Sequence, residues 1–133
     1  MSIAVDATAA DAATLAMIVG LHEQKAVDLR WLTMAAYLAD WRHAITHGTT
    51  ITSLPWVFEY DGLITEHVEG AVQRHPALFA LSSRSNAYGT LVVTVRLAAG
   101  AASGSLALDN GEQETIRYVC HALQKKDFAA LLW

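Results

Sequence analysis

Six histidines, thirteen carboxylates and a single cysteine are the groups of this 133-residue chain with which chemistry is most readily done. One spacing among them is suggestive. His43 and His47 lie four apart in a stretch that reads as helix, which puts both imidazoles on one face as metal ligation requires, and Asp40 sits one turn before His43. On that reading the chain would be a small metal-dependent enzyme using Asp40, His43 and His47. Two imidazoles do not make a site, however, and a carboxylate from the same helix is poorly aimed at both. The simpler reading is that these residues line a helix end, where cationic imidazoles near free carbonyls are mildly stabilising. His22, His67, His75 and His121 show no ligand spacing and read as solvated or capping residues. Cys120 falls in an apolar helical stripe, whereas a reactive thiolate wants a cationic, exposed setting, so it reads as a core thiol. There is no glycine-rich phosphate loop after a strand, no Gly-x-Ser-x-Gly turn and no cysteine pair for zinc. The expectation is a protein with no catalytic, cofactor-binding or metal-ligating residues: a binding module, not an enzyme.

Aromatic residues are the alternative currency of a binding site. Pro55 fixes the entry to Trp56, Phe58 and Tyr60, whose alternation in an extended segment would present all three rings on one side, and Asp61-Gly62 is a turn signal. One or two rings should face outward while Phe58 helps close the core. Trp56, Tyr60, Asp61 and Gly62 are therefore the expected partner contacts.

The element that must hold this loop is a helix over residues 27–47. Leu29, Leu32, Ala35, Ala36, Ala39 and Ile45 recur at helical spacing on one stripe, while Arg30, Thr33, Asp40 and His47 fall mostly elsewhere. Leu32, Ala36 and Ala39 are expected core residues, and Gly48 should stop the helix. Trp31 and Trp41 lie about 280° apart around it, so an enclosed helix would account for both.

Before it, residues 6–22 form a first helix, with Thr8-x-x-Asp11 in its opening turn. After the loop, Thr65 caps a third helix carrying Val68, Ala71 and Val72, which must end at His75 before Pro76. Residues 77–82 and 90–97 read as antiparallel strands joined through 83–89. The small residues of 98–105 read as a mobile loop. Asp109-x-x-Glu112 opens a fourth helix with Ile116, Val119, Cys120 and Leu123 on its buried stripe, and Asp127 caps a short fifth with Phe128, Leu131 and Leu132. The apolar Trp133 suggests either a docked terminus or a chain interrupted within a helix. The expected architecture is α+β: residues 1–133 as one mainly helical domain, about five helices around the long central one, with a small antiparallel hairpin or sheet.

Composition agrees with a binding role. Apolar residues make up 53% and charged residues 17%, which disfavours disorder and favours an apolar surface patch. A net charge of −4 with nine scattered basic residues argues against a nucleic-acid surface and for a basic partner. The lone cysteine fits a reducing cytoplasm, Asp6 and Asp11 interrupt any signal-like apolar run, and no segment is apolar enough to span a membrane.

Leu32 through Gly62, with Tyr37-Leu38-Ala39-Asp40-Trp41, Gly48, Ile51-Thr52, Trp56 and Tyr60-Asp61-Gly62, resembles the SocA/Panacea domain family of phage- and toxin-associated antitoxins. In that family a Tyr-Leu-Ala-Asp helix is followed by a glycine, an Ile-Thr pair, an aromatic strand and a Gly-Pro turn. The resemblance continues more faintly through 108–132. Gly62-Leu63-Ile64 stands where the family has its Gly-Pro turn, which leaves the turn less rigid. The resemblance implies a non-catalytic antitoxin that binds and neutralises a cognate protein toxin in the cytoplasm. The alternative it implies is an adaptor that delivers the toxin to a protease, and a phage-associated regulatory protein would have the same composition.

Overall fold

The computed structural model describes residues 2–60, 62–99 and 107–126, with side chains described from Ala9 onward. The expected fifth helix at 127–132, the body of the 98–105 loop, Asp61, Trp133 and the Thr8 side chain lie outside the described residues. Within them the order is α1 (Ser2–Leu21), β1 (Ala26–Asp28), α2 (Leu29–His47), β2 (Phe58–Glu59), β3 (Gly62–Leu63), α3 (Glu66–Gln73), β4 (Phe79–Ser85), β5 (Leu91–Leu97) and α4 (Asn110–Gln124). The class is α+β as expected, with four helices and small antiparallel sheets among the described residues.

The long second helix starts two residues later than its sequence suggests. Asp28 takes an extended conformation (φ −63°, ψ 139°) and its carboxylate accepts the Arg30 amide at 2.7 Å, so it caps the helix and leaves Val27 outside. Val27 instead pairs with Val95 in a strand the sequence reading missed. At the other end Gly48 stops the helix at φ 85°, its amide donating to the Ala44 carbonyl.

Leu29, Leu32, Ala35, Ala36 and Ala39 are buried as expected, but Ile45 is 62% exposed. It lies nine residues beyond Ala36, about 900° of helical rotation, and therefore points the opposite way. Thr33 and Asp40, expected off the stripe, are buried. Thr33 satisfies its hydroxyl on the Leu29 carbonyl at 2.8 Å. Because Met34 and Ile45 leave the outer face of α2 open, this helix is not enclosed. That description belongs to α1, in which every residue from Asp11 to Val19 is buried.

The helices make one core. Leu15, Ile18 and Val19 of α1, Leu32 and Ala36 of α2, Val68, Ala71 and Val72 of α3, and Ile116, Val119 and Cys120 of α4 belong to a single buried cluster, closed on one side by Val27 and Val95 of the sheet. α4 opens with the anticipated capping box: the Glu112 amide donates to Asp109 at 2.7 Å and the Asp109 amide to Glu112 at 2.9 Å. Thr65 does occupy the cap position of α3, but in a helical conformation (φ −93°, ψ −10°) that turns its side chain away from the free amides, and it makes no cap bond. α3 ends at Gln73, earlier than expected.

The larger sheet has the order β1-β5-β4, antiparallel throughout. β4 lies later than the predicted 77–82, because the turn after Pro76 is closed by the Leu78 and Phe79 amides donating to the His75 carbonyl. Its ladder runs on to Ser85↔Leu91, so Ser83, Arg84 and Ser85, read as connection, are strand. The connection proper is Asn86 to Thr90, where the Asn86 side chain accepts the Tyr88 and Thr90 amides. No helix among the described residues is long and apolar enough to cross a membrane.

Candidate functional site

Two buried carboxylates hold the loop between α2 and β2. Asp40, on α2, is 1% exposed. Its Oδ1 accepts the Ile51 and Thr52 amides at 2.9 Å each, and its Oδ2 accepts the Thr52 hydroxyl at 2.5 Å and the Trp56 indole N–H at 2.9 Å. Asp11, on α1, accepts the Ser53 amide and hydroxyl, both at 2.9 Å. The Leu54 amide donates to the Thr52 hydroxyl, and the Thr50 hydroxyl to the Thr52 carbonyl. A segment with almost no regular structure is thus fixed by six bonds to two carboxyl groups. The Asp40 bonds to the Ile51 and Thr52 amides are buried, where a hydrogen bond is electrostatically stronger than in water.

Burial raises the Asp40 carboxyl above its ordinary value of 3.8, and the hydrogen bonds from Thr52, Trp56 and Ile51 pull the other way. Desolvation is the larger effect. Both oxygens are committed to loop donors, which removes Asp40 from any metal site with the histidines. The His43 and His47 rings stack at 4.2 Å and 6° between planes, so their lone pairs lie in nearly parallel planes and do not converge on a point. Nδ1 of His43 lies 2.6 Å from the Thr49 carbonyl, which makes the buried imidazole another tie on the loop. Among the described residues no three His, Cys, Asp or Glu side chains are gathered where they could hold a metal ion. The other histidines take local roles: His22 packs edge-on against Trp31 and accepts the Gln24 amide, and His75 meets the Ala71 carbonyl at the end of α3.

The pinned loop delivers the aromatic segment. β2 and β3 form a two-stranded ladder, Phe58↔Leu63 and Glu59↔Gly62, extended by the Ile64 amide donating to the Val57 carbonyl. Gly62 has φ 119°, which only glycine adopts without strain, and it is exposed in the return strand. The roles of the rings differ from expectation. Trp56, expected outside, packs against the core with its N–H on Asp40. Phe58, expected to help close the core, is 60% exposed, and Tyr60 is fully exposed. Tyr37 of α2 lies beneath both Trp56 and Phe58, with edge-to-face contacts at 5.8 and 5.3 Å. Phe58 and Tyr60, two apart, thus form an exposed aromatic ridge above Tyr37, while Val57 alternates to the other face of the segment.

Sequence reasoning missed Asp11 as a contributor. Its signal was available, since a lone carboxylate inside Ala-Ala-Asp-Ala-Ala-Thr-Leu must find a partner if that run is buried. Cys120 borders a shallow groove with Tyr118 and His121, yet is 1% exposed. Burial pushes its thiol up to about 12, so almost no thiolate exists near neutrality.

Compared with protein-family models, with curated proteins and with solved structures, the chain matches none of them.

Proposed function

We propose that this chain is a non-catalytic antitoxin of the SocA/Panacea kind, which binds and neutralises a protein toxin in the cytoplasm through the ridge of Phe58 and Tyr60. The observation that carries the reading is the exposed pair Phe58 and Tyr60 on a loop fixed by Asp40 and Asp11. Association carries the cost of ordering loops as well as side chains, and the six hydrogen bonds on Ile51, Thr52, Ser53 and Trp56 order the segment that leads into the rings beforehand. Large rings with few rotatable bonds are the usual anchors of an interface.

The residues behind the resemblance support it in a second way. Tyr37, Asp40, Ile51, Thr52 and Trp56 are the ones that build the base of the ridge: the helix carboxylate seizes the Ile-Thr pair and the tryptophan, and the tyrosine supports the aromatic strand. The spacing of the sequence motif thereby acquires a physical reason.

Co-expression with the product of the adjacent toxic reading frame tests the proposal. The wild-type chain should restore growth of cells making that product, and the double variant Phe58→Ala, Tyr60→Ala should not. Failure of the wild type to restore growth, or full rescue by the folded double variant, would overturn it.

A further inference from the structure

A second surface is defined by an unfinished sheet. β4 pairs with β5 along its whole length, whereas β1 meets only Thr94, Val95 and Arg96 before the chain turns into α2 at Asp28. The ladder on that side ends at Asp28↔Thr94, so Leu91, Val92 and Val93 have an open edge. In an antiparallel strand each residue directs its N–H and C=O to the same side, and neighbours alternate. Over these three positions either Val92 or both its neighbours must therefore point backbone groups outward.

That edge is one wall of a cleft of about 380 Å³, whose other walls include Asp28, Thr65 and Glu69. Arg30 and Thr65 also line a second cleft, of about 560 Å³, which continues past Met34, Glu59 and Glu66 to the β2–β3 hairpin. The two clefts adjoin at Arg30 and Thr65, and together they make a groove. Asp28, Glu59, Glu66 and Glu69 face it against the single guanidinium of Arg30. The N-termini of α2 and α3 each add about half a positive charge, which leaves the groove at a net charge of about −2.

We propose that this groove takes an extended, basic segment of a protein partner, which continues the line of β1 by pairing with Leu91–Val93 and sets lysine or arginine side chains against Glu59, Glu66 and Glu69. An α-helical partner would satisfy its own amides and leave the β5 edge unpaired, so strand addition is the mode that meets both the backbone and the charge. The inference does not rest on the antitoxin reading, since it concerns a different wall of the hairpin and any basic extended segment would fit.

The test uses a fluorescent octapeptide of alternating lysine and valine, titrated into the full chain by anisotropy. Controls are a glutamate–valine counterpart and a lysine–valine peptide N-methylated at alternate residues. The lysine peptide should bind, more weakly as salt rises, and each control at least about tenfold more weakly, the equivalent of one or two lost hydrogen bonds or charge contacts. The exposed pair Glu59→Gln, Glu66→Gln should weaken binding while melting near wild type. Amide exchange at Leu91–Val93 should slow when the peptide is bound. No binding of the lysine peptide, equal binding of the N-methylated or glutamate peptide, undiminished binding by the Gln pair, or unchanged exchange at those amides would overturn the proposal.

Discussion

Asp40 is one side chain with four donors, and removing it strands all of them. A buried donor left without a partner costs about 1–3 kcal/mol, so Asp40→Ala should destabilise the protein by about 3 kcal/mol or more in denaturant unfolding. Asp40→Asn keeps an acceptor for the Ile51 and Thr52 amides but confronts the Trp56 N–H with a second donor, so it should cost less than alanine. The pH dependence has a definite sign. With its folded value raised above 3.8, Asp40 holds a proton in the folded chain at pH values where the unfolded chain has released it. Its contribution is therefore greatest below 3.8 and is lost as pH rises through the folded value, so the stability difference between wild type and Asp40→Asn should shift toward the variant on that rise. A difference that stays flat, or moves toward wild type, would show that the hydrogen bonds outweigh desolvation. Cys120 makes the opposite kind of prediction: buried, with its thiol pushed up to about 12, it should resist a thiol reagent in the native protein and react only on unfolding. At this scale the sequence was legible where a residue's environment is its own helix, as for Cys120 between Ile116 and Leu123. Asp40 was misread because its partners, Ile51, Thr52 and Trp56, lie beyond the helix, where periodicity carries no information about them.

Elements were legible in proportion to their length and to the locality of their signals. α4 shows both a capping box and an unbroken apolar stripe, and the structure has both. β1 has three residues, too few for any alternation to register, and it exists because Val27 finds Val95 far along the chain. The far half of the β4–β5 hairpin escaped for a related reason: Ser83, Arg84 and Ser85 are exposed, so nothing apolar marks them as strand, and the ladder with Leu91–Val93 alone holds them. For α2 the stripe was correct through Ala39 and failed at Ile45, because six residues is not a helical repeat. Leu32 sits at the centre of that stripe, fully buried, and Leu32→Ala should cost about 2–5 kcal/mol in a thermal or denaturant melt. A loss within experimental error would mean that α2 does not carry the core. At the end of the same helix, Gly48→Ala should cost about 1–2 kcal/mol, because its φ of 85° is unfavourable for any residue with a Cβ. There is open space around that Cβ position, so the cost would be conformational and not steric.

At the scale of the fold, the class was readable because several amphipathic or apolar helices and one alternating strand pattern permit few arrangements other than helices packed on a small sheet. What could not be read was the division of labour among the rings of the loop. Trp56 and Phe58 carry the same local signal, and only the buried Asp40, which offers the indole N–H a partner and the phenyl ring none, draws Trp56 inward. The molecule is thus arranged so that two helices spend a carboxylate each on fixing one loop, and that loop leaves Phe58 and Tyr60 in solvent. The central claim is that these rings exist to bind. Its most direct test is a calorimetric titration of the purified toxin candidate with the wild-type chain and with Tyr60→Ala, each variant melted alongside. Truncating an interface anchor costs about 2 kcal/mol or more, so affinity should fall about thirtyfold while the melting temperature stays near wild type. Unchanged affinity in the folded Tyr60→Ala variant would contradict the account.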